Sequence, residues 1–111
     1  EIERLAGALE DIKRLYAKPE TEIESAEYVS PNVKATPQEA FYAEKVSLPI
    51  HETIGRISGE SVMCYPPGIP IVSPGELITA EILEYIDNAI ERGCSMQGPK
   101  SLDLSELEVL K

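Results

Sequence analysis

The chain has 111 residues, 42% of them hydrophobic, and a formal net charge of −10 at pH 7. That length suits one domain with a modest core, and because the chain starts at Glu1 rather than at a methionine we expect a segment of a longer protein. The acidic balance disfavours nucleic acid and anionic membranes as partners, since both are bound through Lys and Arg, and it is compatible with cationic substrates.

The sequence lacks the patterns of several other classes of protein. It has no run of about 18 apolar residues for a membrane span, and because no basic segment precedes an apolar core we expect no signal peptide. One histidine, His51, and two cysteines without Cys-x-x-Cys spacing predict no metal centre. The cysteines also favour a cytoplasmic location over a disulfide framework, and we interpret Cys64 as a small apolar residue rather than a reactive thiol.

An amphipathic helix is the first predicted element. Between Ile2 and Tyr16 apolar residues recur at spacings of three and four, and Lys18-Pro19 ends the pattern. The apolar stripe needs a surface to cover, which can belong to a part of the parent protein outside this chain. Residues 20–35 are acidic and poor in pattern, and we interpret them as a linker with a short extended piece at Glu27-Tyr28-Val29.

A short helix and a strand are predicted next. Thr36-Pro37-Gln38-Glu39 has the pattern of a capping box, with Thr36 as N-cap. A helix this short depends on tertiary packing, for which Phe41 is the expected anchor. Val46-Ser47-Leu48 alternates as a strand does, and the isoleucines at positions 50, 54 and 57 predict about two further helical turns.

The most constrained stretch, residues 65–76, is rich in proline and glycine. Val62-Met63-Cys64-Tyr65 predicts a buried strand that enters it, and Ile69–Val72 a second extended piece. Between them, Pro67-Gly68 suits the central pair of a type II turn. Ser73-Pro74-Gly75-Glu76 then has the pattern of a helix start, with Ser73 as N-cap and Glu76 completing a capping box.

The helix predicted from this start runs over about residues 74–92 and is the longest of the chain, with Gly93 as its C-terminal stop. Residues 94–103 predict a loop, and Glu106–Leu110 alternates as a final strand would. Strands separated by helices predict an α+β fold, with a small mixed sheet and flanking helices.

Three segments together resemble a known family. They are Thr36-Pro37-Gln38-Glu39-Ala40-Phe41-Tyr42-Ala43, Ile54-Gly55-Arg56-Ile57-Ser58-Gly59-Glu60, and Val62-Met63-Cys64-Tyr65-Pro66-Pro67-Gly68-Ile69-Pro70 followed by Pro74-Gly75-Glu76. They are similar to the C-terminal domain of the Orn/Lys/Arg decarboxylases, bacterial pyridoxal-phosphate enzymes with an aminotransferase-like fold. The resemblance runs from about Pro37 to the end of the chain. It implies that residues 1–35 are a helix and linker that connect a large cofactor domain to this one, and that residues 36–111 are the C-terminal domain.

The resemblance implies a parent enzyme that decarboxylates arginine, lysine or ornithine in polyamine synthesis, with pyridoxal phosphate as the electron sink. Its expected partners are the large domain of the same chain, further copies in a homo-oligomer and a cationic amino acid. The family's cofactor lysine lies in a Ser-x-His-Lys segment, and no lysine of this chain has that setting. We therefore expect no catalytic residue and no covalently held cofactor here. The six lysines are Lys13, Lys18, Lys34, Lys45, Lys100 and Lys111.

The resemblance also implies an accessory role for the proline-rich loop, at the entrance of the parent's active site. The candidate entrance residues are Tyr65, Pro66, Pro67, Gly68 and Glu76, with Glu76 as a candidate contact to the cationic end of the substrate. A capping box alone also accounts for Glu76, and Tyr65 can simply pack with its hydroxyl hydrogen-bonded. An alternative of another class is a free-standing protein-interaction module, in which the N-terminal helix docks on a partner. A third, a small-molecule regulatory domain, has no pocket signature in the sequence.

Overall fold

A computed structural model describes residues 1–19 and 29–111 of the chain. Helices and short strands alternate along it, which confirms the predicted α+β class. The helices are α1 (Ile2–Tyr16), α2 (Pro37–Tyr42) and α3 (Ala80–Glu91), and the strands are β1 (Lys45–Pro49), β2 (Val62–Tyr65), β3 (Ile69–Val72), β4 (Ser95–Gln97) and β5 (Glu106–Leu110). A 3₁₀ turn, Ile50–Glu52, follows β1.

The strands form two small antiparallel sheets. β1 pairs with β5, from Lys45 opposite Leu110 to Pro49 opposite Glu106. In the second sheet β2 is central, between β3 and β4. The expected mixed pairing is wrong for these strands. Residues 66–68 between β2 and β3 suffice for a hairpin, whereas parallel strands need a crossover of a dozen residues or more.

The core lies where α3 packs against both sheets. Ile82 and Ile86 on one face of α3 are 2% and 1% exposed, and the apolar residues of β2, β3 and β5 that meet them are equally buried. Burial of this kind is the main favourable contribution to folding. The cluster consists of Val62, Val72, Ile78, Ile82, Leu83, Ile86, Leu104, Leu107 and Val109.

Helix α3 begins at Ala80, with Thr79 as N-cap, so the predicted start at residues 73–74 is wrong. Residues 73–76 form a turn instead, in which the Glu76 N–H donates to the Ser73 carbonyl at 3.1 Å. The backbone beyond the turn pairs with a neighbouring segment, with Ile78 N–H donating to the Arg56 carbonyl at 2.9 Å. These bonds take the groups that a helix would have needed. At 12 residues α3 is also shorter than the 15-residue α1.

The helical turns predicted from isoleucines 50, 54 and 57 are wrong beyond the 3₁₀ turn. Gly55 has a φ of +82°, and its N–H donates to the Ile78 carbonyl at 2.8 Å. Ile57 then forms an isolated antiparallel bridge with Leu77. Residues 55–58 therefore lie extended beside residues 75–78 and pair with them. The spacing of the isoleucines gives no information about this distant segment.

The capping box at Thr36 is confirmed in both directions. Thr36 Oγ1 accepts the Glu39 N–H at 3.2 Å, and Glu39 Oε2 accepts the Thr36 N–H at 2.8 Å. The expected anchor of α2 is wrong, because Phe41 is 72% exposed whereas Ala40 is fully buried. The Phe41 ring contacts the Tyr42 ring edge to face, with centroids 5.2 Å apart.

The remaining elements follow the predictions closely. Helix α1 and strands β1, β2, β3 and β5 lie where the sequence placed them, and Gly93 ends α3 with a φ of +84°. One detail is corrected, because the expected loop 94–103 contains β4. At the predicted turn Gly68 has a positive φ of +92°, and its N–H donates to the Cys64 carbonyl four residues back, at 2.8 Å.

Part of the expected linker lies against the domain. The N–H groups of Lys34 and Ala35 donate to the Gly75 carbonyl at 2.8 and 3.0 Å, and Leu77 N–H donates to the Asn32 carbonyl. Val29 packs on the core cluster, while the other two residues of the expected extended piece lie outside the described residues. The division of the chain at residue 35 stays a prediction.

Candidate functional site

The hairpin tip, residues 65–68, projects from the end of β2 and β3. Tyr65 is 51% exposed, and Pro66 and Pro67 are exposed after cis peptide bonds. Gly68 closes the tip with a φ of +92°, a conformation that other residues rarely adopt. The tip is thus a proline-rich turn with a half-exposed tyrosine.

The Glu76 turn, residues 73–76, is held from two sides. Glu76 Oε2 accepts the Ser73 N–H at 3.0 Å, and the Glu76 carbonyl accepts the Ser58 N–H at 2.8 Å. Gly75 is buried with a φ of +93°, and a Cβ there would lie 2.1 Å from the Ala35 carbonyl oxygen. The half-buried Glu76 carboxylate therefore serves its own turn, much as the capping-box interpretation expected, although no helix starts there.

The structure does not bring the five candidate entrance residues together. The hairpin tip precedes β3 and the Glu76 turn follows it. Four residues of strand separate them by about 13 Å. Tyr65, Pro66, Pro67 and Gly68 form one local feature, and Glu76 belongs to another at the opposite end of β3.

A small apolar cavity lies beside β3 and α3. It has a volume of about 60 Å³ and is lined by Val29, Ile69, Pro70, Ile71 and Tyr85. Pockets for small molecules and cofactors measure about 300 Å³ or more. The cavity is therefore too small to hold an amino acid or a cofactor.

Two polar residues of the motif at 54–60 have structural roles that the sequence analysis missed. Glu60 is 9% exposed, and its two carboxylate oxygens accept the N–H groups of Glu108 at 2.9 Å and of Lys100 at 3.0 Å. Arg56 donates from Nη2 to the Leu110 carbonyl at 3.0 Å. The bonds that involve Glu108 and Leu110 tie the motif to the C-terminal strand β5, and the bond from Lys100 ties it to the preceding loop. An acidic residue two positions before the apolar run of β2 was the available signal for a buried carboxylate.

The two cysteines come close together at the base of the hairpin tip. β2 and β4 pair Cys64 with Met96 and Tyr65 with Ser95, which places Cys94 diagonally across from Cys64. Both thiols are free and half-buried. Burial raises the pKa of the Cys64 thiol, and a hydrogen bond with the Cys94 side chain raises it further. The interpretation of Cys64 as a small apolar residue did not include this neighbour.

Comparison with known proteins identifies the family to which this geometry belongs. A family model described as "Orn/Lys/Arg decarboxylase, C-terminal domain" matches residues 20–98. The chain belongs to this family. An arginine decarboxylase from Bacillus anthracis is 38% identical over 116 residues, which covers 100% of this chain and 23% of that protein. The inducible lysine decarboxylase of Escherichia coli (strain K12) is 36% identical over 77 residues, 63% of this chain and 11% of that protein.

A solved structure of the family has the same fold. The lysine decarboxylase of Francisella novicida aligns with a TM-score of 0.59 at 25% identity, over 75% of this chain and 14% of that chain. The chain thus spans less than a quarter of the length of the two decarboxylases compared by sequence. The C-terminal domain of an Orn/Lys/Arg decarboxylase is consequently a small part of a larger protein.

The lysines of this C-terminal domain do not fit covalent attachment of pyridoxal phosphate. A lysine that forms an imine needs a lowered pKa, reached by desolvation or by a nearby cation. Lys45 is half-buried and donates Nζ to the Phe41 carbonyl at 2.9 Å, and the other five lysines are exposed. A hydrogen bond to Glu108 raises the pKa of Lys100, the wrong direction for a nucleophile.

Residues 1–19 and 29–111 contain neither a candidate membrane span nor a candidate metal-binding cluster. None of the three helices there combines the length and apolar character that a membrane span requires. Within the same ranges, no three His, Cys, Asp or Glu side chains are grouped so that they could hold a metal ion.

Proposed function

We propose that this chain is the C-terminal part of a decarboxylase that acts on a basic amino acid, with arginine as the first candidate substrate. The observation that carries the proposal is the 38% identity to an arginine decarboxylase along 100% of the chain, whereas a lysine decarboxylase from Hafnia alvei is 28% identical over 87% of it. Decarboxylation of arginine yields agmatine, so the product would enter polyamine synthesis. The parent protein would be a cytoplasmic homo-oligomer.

Pyridoxal phosphate would be held by the large domain of the same polypeptide, outside these 111 residues. The described lysines support this division, because they lack the environment that imine formation needs. When bound, the cofactor supplies the electron sink for loss of carbon dioxide. The C-terminal domain would act by position, with the exposed hairpin tip framing the active-site entrance.

The net charge of −10 supports a cationic substrate. An acidic surface near an entrance raises the local concentration of cations and their rate of encounter. Glu76 lies at the other end of β3 from the hairpin tip, and its half-buried carboxylate keeps lone pairs beyond the bond from Ser73. A direct substrate contact would have to use those lone pairs.

The test of the proposal is carbon dioxide release by the full-length protein. The protein would be supplied with pyridoxal phosphate and assayed separately with arginine, lysine and ornithine, with arginine expected to give the highest kcat/KM. Borohydride reduction should attach the cofactor to a lysine outside the 111 residues. No release from any of the three amino acids, or attachment within this chain, would overturn the proposal.

The role of Glu76 is tested by two matched variants of the full-length protein. Glu76→Gln and Glu84→Gln each remove one negative charge, but Glu84 is exposed on α3. A substrate contact predicts that Glu76→Gln raises KM by about tenfold, the effect of losing roughly 1.4 kcal/mol, while Glu84→Gln leaves KM unchanged. A KM unchanged in both variants, with lowered stability for Glu76→Gln, assigns Glu76 to its turn alone.

The interaction-module alternative is favoured by a single observation, the exposed apolar stripe of α1, in which Leu5 and Leu9 are 61% and 57% exposed. On the decarboxylase proposal this stripe packs on the large domain of the same polypeptide. The coding sequence upstream of Glu1 separates the two proposals. A decarboxylase reading frame continuous with this chain supports the first, and a gene without one supports the module.

A further inference from the structure

We propose that Cys64 and Cys94 form a reversible disulfide, which makes the base of the hairpin tip a redox modification site. The inference rests on strand register and on the exposure of the two thiols, and it is independent of the decarboxylase activity. The two cysteines are 30 positions apart in the sequence, and only the pairing of β2 with β4 brings them together.

The register explains why the two side chains meet. Met63 lies opposite Gln97, Cys64 opposite Met96 and Tyr65 opposite Ser95. Residues two positions apart on a strand point to the same face, so Cys94 faces the same side as Met96 and therefore as Cys64. Diagonal neighbours of this kind have Cα atoms about 7–8 Å apart with closer Cβ atoms. A disulfide needs Cα atoms within about 7 Å, so forming the bond requires a backbone movement of about 1 Å or more.

The local structure permits that movement. Cys94 lies just before β4, directly after Gly93, the residue in left-handed conformation that ends α3. The Cys94 N–H donates to the Ala89 carbonyl at 3.0 Å, which fixes Cys94 at the end of α3. Gly93 beside it has no side chain to oppose a change of its backbone angles. Cys94 also helps to raise the pKa of the Cys64 thiol, as a neighbouring thiol would.

Both thiols are half-buried, so a small oxidant can reach them while a protein-sized partner would have poorer access. Disulfides in reduced compartments are usually transient and redox-sensing. The Tyr65 and Ser95 pair lies directly beside the two cysteines. A bond between Cys64 and Cys94 would thus clamp the base of the hairpin tip to the end of α3.

The oxidation requires an oxidant, and the class proposed is a small-molecule disulfide such as oxidised glutathione. The Cys94 thiolate attacks one sulfur of the oxidant, forms a mixed disulfide and releases the first reduced thiol. The Cys64 thiolate then attacks the Cys94 sulfur, forms the internal bond and releases the second. Two protons leave the protein, and two electrons reduce the oxidant. The raised pKa of Cys64 favours Cys94 as the first nucleophile.

The test uses the full-length protein under native conditions. Reduced protein is treated with oxidised glutathione, remaining thiols are blocked with N-ethylmaleimide, and the protein is digested with trypsin. Cleavage after Arg56, Arg92 and Lys100 separates the cysteines into peptides 57–92 and 93–100. A disulfide links them into one species, two hydrogens lighter than their sum. We expect this species to exceed singly modified peptides by at least about tenfold, because the second thiol reacts intramolecularly.

Two variants and one solvent control make the result decisive. Cys64→Ser and Cys94→Ser should each abolish the linked species, and Cys64→Ser should accumulate a glutathione adduct on peptide 93–100 because the second thiol is missing. Separate adducts or free thiols on both wild-type peptides would overturn the proposal. Formation of the linked species in urea but not in native protein would overturn it as well.

Discussion

Among single residues, Glu60 shows how an acidic side chain can be required by the fold. Its carboxylate is buried and accepts two backbone N–H groups from different segments, those of Lys100 and Glu108. A buried charge is tolerated when donors of this kind replace water. Glu60 thereby joins the segment before β2 to the loop before β5 and to β5 itself.

Glu60→Gln should destabilise the protein by about 1–3 kcal/mol, because the amide NH₂ cannot accept a hydrogen bond and one backbone N–H is left unpaired in a buried place. Urea denaturation gives the free energy of unfolding. Glu84→Gln, an exposed change of the same chemistry, should stay within about 0.5 kcal/mol of the wild type. Equal effects of the two variants would contradict the role of Glu60.

Asp103 provides a pH-dependent prediction at the same scale. The Ser101 hydroxyl, followed by the N–H and hydroxyl of Ser105, lowers the pKa of Asp103 from 3.8 to about 2. Because the folded state favours the ionised form, this contribution to stability is complete above pH 3.8 and is lost as pH falls towards 2. Carboxyl NMR titration should find the low pKa, and Ser101→Ala should return it towards 3.8. A wild-type value of 3.8 would contradict the assignment.

At the scale of elements, α3 is positioned by its contacts more than by its start signal. Ser73-Pro74-Gly75-Glu76 has every residue type of a helix start, yet the backbone of residues 75–78 bonds to segment 55–58. The helix begins six residues later, where Thr79 Oγ1 accepts the Ile82 N–H at 3.4 Å. Its stability is therefore expected to come from its buried face.

Two isoleucines of α3 test that statement. Ile86 is 1% exposed and Ile90 is 45% exposed. Ile86→Ala should cost about 2–5 kcal/mol, since it removes buried contacts and leaves a cavity. Ile90→Ala should cost less than about 1 kcal/mol, because the site is half open to water and Ala is the better helix former. Urea denaturation of both variants checks the difference, and similar losses would argue against α3 as the main support of the core.

At the scale of the whole molecule, α1 is the element whose surroundings are incomplete. Against the described residues it buries none of its side chains. Its apolar side chains include Ile2 at 85%, Leu15 at 67% and Tyr16 at 75% exposure. An amphipathic helix is normally stabilised by covering its apolar face. The proposed cover is the large domain of the same polypeptide.

Limited proteolysis of the full-length protein tests whether the large domain packs against the apolar face of α1. Leu9→Ser removes an apolar side chain from the stripe, whereas Asp11→Ser alters the polar face. If α1 is packed in the full protein, Leu9→Ser should speed tryptic cleavage after Lys13 by about tenfold, because roughly 1.5 kcal/mol or more of burial is lost. Asp11→Ser should leave the cleavage rate unchanged. Identical fast cleavage in the wild type and both variants would show that α1 is uncovered.

Local signals in the sequence predicted those parts of the fold that depend on neighbouring residues. Thr36 and Glu39 meet within one helical turn, and Gly93 ends a helix through its own φ. Signals failed where a distant segment competes for the same backbone groups, as at Gly55 and Gly75. For the candidate site, the sequence correctly pointed to the exposed hairpin tip. It wrongly grouped Glu76 with the tip, because the two are close in the sequence, whereas the extended strand β3 holds them apart in space.

Local patterns in the chain were enough to predict the α+β class, most strand positions, the amphipathic α1 and, through the motif that begins Tyr65-Pro66-Pro67-Gly68, the decarboxylase family. The start of α3, the burial of Glu60 and the neighbour of Cys64 became visible only in the folded domain. All three depend on contacts between distant segments. Hydrogen bonds and burial between residues far apart in the chain outweigh local propensities of a few tenths to about 1 kcal/mol.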